Sequence, residues 1–426
     1  MLMAAIFVAL MLMICINIPI AVALAMCGVI GLVATEGTDS LVSIALDMYD
    51  GSTKFSLIAI PMFVLAGAIM NAGGITDRLI NFVTSIIGFI RGGLAMVNIG
   101  VSLFFAEISG SAVADVAAMG SILIPQMKKR GYSKEFSAAV TSSSASLAII
   151  IPPSIPMILY AASANTSVEQ LFVAGVVPGL LGAAGLMGVA YFFARRYNFP
   201  TEAAFNMPRV RETFVEALPA FTLPVIILGG IFGGFVTATE AAGLAVLAAI
   251  VVSAWYRNIN WQHLRTAMLD GGMQTAVVML LVAASVLMGG FLTRAQIPQQ
   301  LAEGILSITT QQWAILLILN FFFLVVGFFL HSAAAIILVI PIVIPLITAA
   351  GIDPVHFGLV VTLNLAIGQQ TPPVASVLIT ACSVARANIW EVSKVNIWFV
   401  GVLLAVLMLC TYVPSVPMFL VEYFYR

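Results

Sequence analysis

Two proline pairs interrupt apolar stretches of this chain, in IIIPPSIP at 149–156 and in TPPVAS at 371–376. Proline removes a backbone donor and clashes with the preceding turn, which costs about 3 kcal/mol in a helix interior. In hydrocarbon no water replaces the lost hydrogen bond. The pairs are therefore either kinks satisfied by neighbouring helices or breaks whose carbonyl oxygens face a cavity. Because the pairs stand in register, 220 positions apart, we predict two broken helices.

Small and hydroxyl residues form two further interruptions, in FAEISGSAVADVAAMG at 105–120 and VVGFFLHSAAA at 325–335. The apolar runs on either side are too short to span a bilayer, so each segment predicts a re-entrant hairpin that turns at these residues. Carbonyl and hydroxyl oxygens are hard ligands for an alkali cation, and helix N-termini favour an anion. The tips and breaks together predict a site for a cation and an anion.

Four ionisable residues, Glu107, Asp115, Glu240 and His331, lie in apolar segments, where charge is costly and usually functional. Each acid also admits a structural role at a helix end, which we favour for Glu240. For Asp115, support of the site and ion binding remain equal alternatives. His331 occupies the repeat position of Ser111, which favours a site role over that of a core histidine.

The composition is that of a polytopic membrane protein, with 62% hydrophobic and 8% charged residues in 426, against about 25% charged in soluble domains. A spanning helix needs about 20 apolar residues. We predict spans near 2–16, 18–34, 57–72, 136–163, 168–194, 219–235, 239–256, 273–292, 357–385 and 395–418. The first segment lacks a basic region and a cleavage site, so we expect a membrane helix rather than a removed signal peptide. The four cysteines, Cys15, Cys27, Cys382 and Cys410, stand singly in apolar runs and predict small core residues.

The two halves of the chain repeat each other in inverted topology. A shift of 220 positions lays Pro125 on Pro345 and Gly131 on Gly351. The loop QMKKRGYSKEF carries four basic residues and its counterpart LITAAGIDPVHF carries none, which places the two loops on opposite sides of the membrane.

The resulting fold class is an all-α polytopic membrane protein of two inverted-topology repeats, each with a re-entrant helical hairpin and a broken helix. The predicted divisions are a first repeat at 1–205 (hairpin about 93–127, broken helix 136–163), a cytoplasmic linker at 206–217, and a second repeat at 218–426 (hairpin about 313–347, broken helix 357–385). This path leaves only Lys54, Arg294 and Arg426 of the 17 basic residues outside the cytoplasm. Amphipathic arms are expected along the two interfaces at 38–54 and 258–272.

No Lys or Arg occurs from 135 to 194 or from 295 to 385. An anionic substrate must then be held by helix N-termini, hydroxyl groups, bound cations or a protonated His331.

The chain resembles the large membrane subunit of TRAP (tripartite ATP-independent periplasmic) transporters over nearly its whole length. The resemblance rests on AIPMFVLAGAIMNAGGI, SGSAVADVAAMG, IIPPSIPMI, FVTATEAAG, AGIDPVHFG and IGQQTPPV. It implies an elevator-type fold of the ion-transporter superfamily, located in the bacterial inner membrane. It also implies symport of an organic acid, such as a C4-dicarboxylate, sialic acid or sugar acid, with two or more coupling Na⁺ ions. The partners implied are a separate small four-helix membrane subunit and a periplasmic substrate-binding protein.

Carried over by residue, the resemblance places one Na⁺ among Ser109, Ser111 and the backbone of Ala148, Ile151 and Pro153. It places the other among Gly327, Gly368, Thr371 and Pro373. The expected substrate contacts are Ser111, His331, Ser332, Asn364 and Thr371, with Asp115 and Glu107 as supporting residues.

Two positions depart from the family pattern. His331 stands where relatives usually have an acid, and Ala375 stands where glycine is common. The change at His331 alters the local charge, so no relative's substrate is carried over.

Other functions remain as alternatives. A self-sufficient Na⁺- or H⁺-coupled carboxylate carrier would use the same hairpins without a binding protein. An intramembrane enzyme would need paired catalytic acids, a nucleophile with its base, or a set of metal ligands. The chain has only three histidines, no HExxH motif and no evident aspartate partner for Asp115. An ATP-driven pump would need a phosphate-binding loop such as GxxxxGK[ST], and the sequence contains none. We therefore predict a transporter rather than an enzyme, with no nucleic-acid partner.

Overall fold

The computed structural model describes residues 2–16, 18–201, 204–258 and 260–425. The predictions on Arg426 and on the side chains of Cys15, Glu107 and Ser109 lie outside the described residues. The described residues form α-helices joined by short 3₁₀ and π turns, without a β-strand among them.

Ten helices of the first half follow one another in chain order. They are α1 (Leu2–Cys15), α2 (Ile20–Glu36), α3 (Leu41–Ser52), α4 (Ala59–Ala72), α5 (Ile75–Ile87), α6 (Gly93–Ser109), α7 (Ala112–Lys129), α8 (Lys134–Ala145), α9 (Ile155–Ala164) and α10 (Val168–Arg196).

The second half contains eleven helices in its described part. They are α11 (Met207–Pro224), α12 (Gly230–Phe232), α13 (Ala238–Trp255), α14 (Trp261–Arg294), α15 (Ile297–Ile308), α16 (Gln312–Phe329), α17 (Ser332–Ala349), α18 (Pro354–Gly368), α19 (Ser376–Ala385), α20 (Ile389–Tyr412) and α21 (Ser415–Tyr425).

The repeat is visible in the order of these helices. The hairpin α6–α7 corresponds to α16–α17, and the broken pair α8–α9 corresponds to α18–α19. Helices α7 and α17 begin 220 positions apart, as do α8 and α18. Within the described residues, eight helices are long and apolar enough to cross a membrane. The prediction of an all-α polytopic membrane protein with two hairpins and two broken helices is confirmed.

Two predicted boundaries differ in the structure. The arm expected at 258–272 is not a separate helix, because α14 continues from Trp261 to Arg294. The first-half arm, α3, is by contrast separate from the helix that follows it, because the chain leaves the helix at Thr53 and becomes extended at Lys54 before the 3₁₀ turn that leads into α4. Most of the segment predicted as a linker, from Met207 onward, forms the start of α11.

Hydrogen bonds between distant segments join positions that the predicted path places on one membrane face. At the predicted cytoplasmic face they are Lys128 Nζ to Ala385 O (3.1 Å), Gly92 N to Pro200 O (3.1 Å) and Tyr256 OH to Glu216 O (2.7 Å). At the predicted outer face they are Lys54 Nζ to Ala162 O (2.7 Å), Ala238 N to Glu169 Oε1 (3.1 Å) and Tyr160 OH to Pro354 O (2.7 Å). The inverted path is therefore compatible with every one of these contacts.

Candidate functional site

The tip of the first hairpin lies directly on the first broken helix. Helix α6 ends at Ser109, Gly110 adopts a left-handed conformation (φ +59°), and Ser111 is extended before α7. A Cβ atom on Gly110 would lie 3.1 Å from the carbonyl oxygen of Pro153. The close approach of the two backbones explains why glycine occupies the turn.

The first break leaves backbone carbonyl groups without their helical donors. Pro152 and Pro153 have no N–H to donate to the carbonyl groups of Ala148 and Ile149. The carbonyl oxygen of Ile149 accepts a hydrogen bond from Ser154 Oγ at 2.7 Å. The carbonyl of Ala148, a predicted Na⁺ ligand, therefore receives no N–H from Pro152, and Ile151 lies in the same break.

The second hairpin contacts the second broken helix through two glycines. A Cβ atom on Gly368 would lie only 2.6 Å from Gly327 Cα, so any side chain there would separate the two backbones. One turn further on, Thr371 donates its N–H to the Gly368 carbonyl at 3.0 Å. The predicted Na⁺ ligands Gly327, Gly368 and Thr371 are therefore neighbours, and Pro373 follows them in the break.

Two side-chain oxygens at the second hairpin and broken helix are buried and have no hydrogen-bond partner within the described part of the chain. They are Ser332 Oγ and Asn364 Oδ1. The amide nitrogen of Asn364, by contrast, donates to Asn320 Oδ1 at 2.7 Å and to the Val360 carbonyl at 2.8 Å. A buried polar atom without a partner calls for an ion, a water molecule or a ligand.

A cavity of about 410 Å³ lies between the two hairpin tips. Three of the predicted substrate contacts, Ser111, His331 and Ser332, line it, whereas Asn364 and Thr371 are not part of its described lining. The roles of Asn364 and Thr371 in substrate binding therefore stay predictions without a contact in this cavity. Helices α4, α9 and α14 supply much of the remaining wall.

His331 is the residue before α17, and its Nδ1 accepts the N–H of Ala333 at 3.4 Å. An aspartate at this position would accept the same hydrogen bond, because both side chains can cap a helix N-terminus. The departure at His331 thus keeps the local fold while removing a negative charge from the cavity wall.

Gln274 lines the same cavity from α14 and was missed by sequence reasoning. It is the repeat position of Lys54 and interrupts the apolar run that follows the second arm. The correspondence between Gln274 and Lys54 in the two repeats is the signal that could have predicted Gln274 as a site residue.

A buried polar network connects the two broken helices and was also missed. Its centre is Gln370, in the turn that follows α18. Its hydrogen bonds are Ser143 Oγ to Gln370 Oε1 (2.8 Å), Gln370 Nε2 to Ser146 Oγ (2.5 Å), Ser143 Oγ to Asn396 Oδ1 (2.7 Å) and Asn396 Nδ2 to Gln370 O (3.2 Å). The segments TSSSASL and GQQTPP carried the signal, since such polar runs inside membrane segments need buried partners.

The acids have different surroundings. Asp115 is buried on α7, where its N–H bonds the Ser111 carbonyl at 3.0 Å. Glu240 caps α13, accepting the Thr237 N–H at 2.8 Å while its own N–H donates to Thr237 Oγ1 at 3.3 Å. The structural role favoured for Glu240 is confirmed. Cys27, Cys382 and Cys410 are buried, and no group of three or more metal-ligating side chains occurs among the described residues.

Residues 7–416 match the family model of the tripartite ATP-independent periplasmic transporter, DctM component. The chain belongs to this family. As a DctM-family protein it is a multi-pass protein of the bacterial inner membrane and a transporter component rather than an enzyme.

Named relatives are similar over most of this DctM-family chain. The C4-dicarboxylate TRAP transporter large permease protein DctM of Pseudomonas aeruginosa is 38% identical, covering 89% of each chain. The isethionate TRAP transporter permease protein DctMQ of Oleidesulfovibrio alaskensis is 37% identical over 95% of this chain, which spans 64% of that relative's length. The crystal structure of the Alcanivorax borkumensis YdaH transporter aligns with a TM-score of 0.64 over 89% of each chain at 13% identity. This likeness shows a shared fold.

Proposed function

We propose that this chain imports an organic acid in symport with Na⁺, and that a periplasmic binding protein delivers the acid. The observation that carries the proposal is the meeting of two hairpin tips around one cavity, with a broken helix packed against each hairpin. Backbone carbonyls and hydroxyls at each break are suitable ligands for Na⁺, and two helix N-termini at the tips suit an anion. The names of the relatives, which include carriers of a C4-dicarboxylate and of isethionate, support an acid as substrate.

Sodium binding comes first in the proposed sequence of events. One ion would lie among Ser111, Ala148 and Pro153, and the other among Gly327, Gly368 and Thr371. Each ion would order its tip against its break and offset the negative charge of the incoming acid. Only the fully loaded or the empty core would then cross the membrane.

The movement we propose is an elevator-like slide of the core past a stationary scaffold. The core comprises the two hairpins and the two broken helices, and the buried Gln370 network joins the two broken helices to each other. The scaffold comprises α2, α4, α13 and α14 together with the arm α3. A small four-helix membrane subunit would pair with the scaffold.

The proposal is tested by uptake of labelled organic acids into proteoliposomes that contain this chain and its small membrane subunit. Uptake should need both an inward Na⁺ gradient and the binding protein. Uptake with Na⁺ but without any effect of the binding protein would favour a self-sufficient carrier. Uptake that is unchanged without Na⁺ would refute the coupling.

The ligand assignment has its own test. Ser111→Ala combined with Thr371→Ala should abolish Na⁺-dependent uptake, because each removes a hydroxyl from one predicted ion site. Ser121→Ala is the matched control, since Ser121 is an exposed residue of α7 whose hydroxyl donates to the Ala118 carbonyl of its own helix. Full uptake by the double variant would show that neither hydroxyl is needed to bind Na⁺.

A further inference from the structure

The cavity between the hairpin tips is nearly devoid of charge. Its described lining contains no Lys, Arg, Asp or Glu, and its polar side chains are Ser111, Gln274, His331 and Ser332. A second cavity of about 430 Å³ lies at the predicted outer face and is lined by Asp47, Asp50, Lys54 and Arg294. Charged side chains therefore line the outer cavity, whereas the described lining of the central cavity has none.

Three of the four polar side chains of the central cavity stand at helix N-termini. Ser111 precedes α7, His331 precedes α17, and Ser332 is the first residue of α17. Ser332 Oγ is buried without a hydrogen-bond partner in the described structure. Because His331 Nδ1 accepts the Ala333 N–H, the neutral ring carries its proton on Nε2. Hydroxyl groups, an N–H donor and helix N-termini are all groups that suit an anion.

The wall formed by α4 and α14 has a different character. Val64 on α4 and Met273, Val277 and Val278 on α14 face the cavity. A second carboxylate against this wall would exchange part of its water for apolar contacts without gaining a cation from the described lining, which is unfavourable. A sugar acid would place several hydroxyl groups against the same apolar side chains, which also costs hydrogen bonds.

Gln274 is the one polar side chain on this wall among the described residues. It is exposed to the cavity and makes no hydrogen bond to any described residue. A neutral amide can donate to and accept from one hydroxyl or keto group.

We propose that the central cavity takes a small monoanionic acid with a short, mainly apolar body and at most one neutral polar substituent. Its single carboxylate or sulfonate binds at the N-termini of α7 and α17, and Gln274 binds the neutral substituent. Gln274 is thus a specificity-determining residue. This inference rests on the proposed import of an organic acid and narrows its substrate class.

Direct binding tests the inference without the selectivity of a binding protein. The purified complex of this chain and its small subunit is heated in detergent with saturating Na⁺ and graded concentrations of each acid. The probes are a short 2-hydroxy monocarboxylate, the sulfonate of the same length, the dicarboxylate of the same length and a six-carbon sugar acid. The monoanions should raise the unfolding temperature at concentrations about 100-fold lower than the dicarboxylate or the sugar acid.

The outcomes separate this inference from the proposed function. Tightest binding of the dicarboxylate or the sugar acid would overturn the substrate class and leave acid import intact. Tightest binding of a monoanion together with Na⁺-independent uptake would support the substrate class and refute symport. The relative affinity of the carboxylate and the sulfonate identifies the head group.

Two variants test the residues. Gln274→Leu should weaken binding of the 2-hydroxy acid about tenfold and leave its unsubstituted analogue unchanged, whereas Gln300→Leu, at an exposed position of α15 outside the cavity, should change neither. An equal loss for both acids would refute the role of Gln274. Val277→Arg supplies the missing cation and should raise affinity for the dicarboxylate about tenfold. A folded Val277→Arg protein that still rejects the dicarboxylate would refute exclusion by charge.

Discussion

The two hairpins are built from corresponding helices, but they contact the broken helices at different points. In the first repeat the tip itself makes the contact, through the left-handed Gly110 against Pro153. In the second repeat the contact lies earlier in the hairpin, where Gly327 packs on Gly368, and the tip residues Leu330 and His331 are extended. Both repeats therefore bring a hairpin backbone close to a broken helix, but the glycines that allow this contact are at non-equivalent positions.

The polar support of the two broken helices differs as well. Asn98 on α6 bonds Thr141 Oγ1 at 2.7 Å and accepts from Ser144 Oγ at 3.0 Å. In the second repeat, Asn320 on α16 accepts from Asn364 Nδ2 at 2.7 Å and donates to Thr411 Oγ1 on α20 at 3.1 Å, while Asn364 Oδ1 keeps no partner in the described structure. The broken helix of the second repeat thus keeps a buried oxygen open for a ligand.

The largest expected effect comes from Gly368→Ala. The added methyl group would lie 2.6 Å from Gly327 Cα, so the backbone of the second hairpin must move. A displacement of this kind costs about 1–3 kcal/mol and should lower Na⁺-dependent uptake about 100-fold. Gly401→Ala on α20 is the control, because its methyl group would meet no atom within 4 Å. Gly110→Ala should also lower uptake, because its closest contact of 3.1 Å adds to the cost of about 1–2 kcal/mol that alanine has in a left-handed conformation; unchanged uptake in both variants would show that close backbone approach is not required.

Asn98→Ala should loosen its broken helix more than Asn320→Ala loosens the other. Loss of Asn98 removes a partner from two residues of α8, Thr141 and Ser144. Loss of Asn320 removes a partner from one residue of α18, Asn364, and from Thr411 on α20. Each variant should lower the free energy of unfolding by about 2 kcal/mol, but hydrogen exchange should become faster in α8 for Asn98→Ala than in α18 for Asn320→Ala. Equal exchange in α8 and α18 would mean that the two asparagines support their broken helices equally.

Lys54→Gln makes the first repeat match the second at this position and should have a smaller effect. Lys54 Nζ donates to the Ala162 carbonyl in the last turn of α9, and a cation at a helix C-terminus contributes about 0.3–1 kcal/mol. Hydrogen exchange of the amides in that turn should become faster. Lys394→Gln, which removes an exposed surface pair with Glu391, should leave this exchange unchanged, and an identical response to both variants would exclude a specific role for Lys54.

The smallest expected effect is that of Ala375→Gly. Ala375 is left-handed (φ +50°), a conformation that costs an L-residue about 1–2 kcal/mol. Glycine removes that cost but adds about 0.5–1 kcal/mol of backbone entropy and loses a buried methyl group worth about 0.8 kcal/mol. The free energy of unfolding should therefore change little, whereas Ala248→Gly inside α13 should lower it by about 1 kcal/mol. Comparable losses in unfolding temperature would show that the conformation at Ala375 carries no strain.

Sequence patterns predicted the hairpins and breaks because these features depend on local chemistry. The hairpins expected at about 93–127 and 313–347 correspond to helices that cover 93–129 and 312–349. Proline lacks its N–H wherever it stands, and paired small residues permit a tight turn without reference to distant segments.

The site residues that were missed depend on tertiary contacts. Gln370 and Asn396 are hydrogen-bonded to each other and to α8, more than 220 positions away from Gln370 along the chain. Gln274 faces the cavity only because α14 borders it together with both hairpin tips. The polar runs TSSSASL and GQQTPP indicate that buried partners exist, but no local pattern identifies which residues those partners are.

The uninterrupted α14 has 34 residues and is therefore about 51 Å long, against a hydrocarbon thickness of about 30 Å. A straight rod of this length must tilt or extend into the headgroup region, and its tilt depends on bilayer thickness. Gln274 lies on this rod, so the acyl-chain length of the reconstituted lipid sets the angle at which the cavity wall meets the hairpins. Lipid chain length is consequently an experimental variable for transport in its own right, alongside ion and substrate concentration.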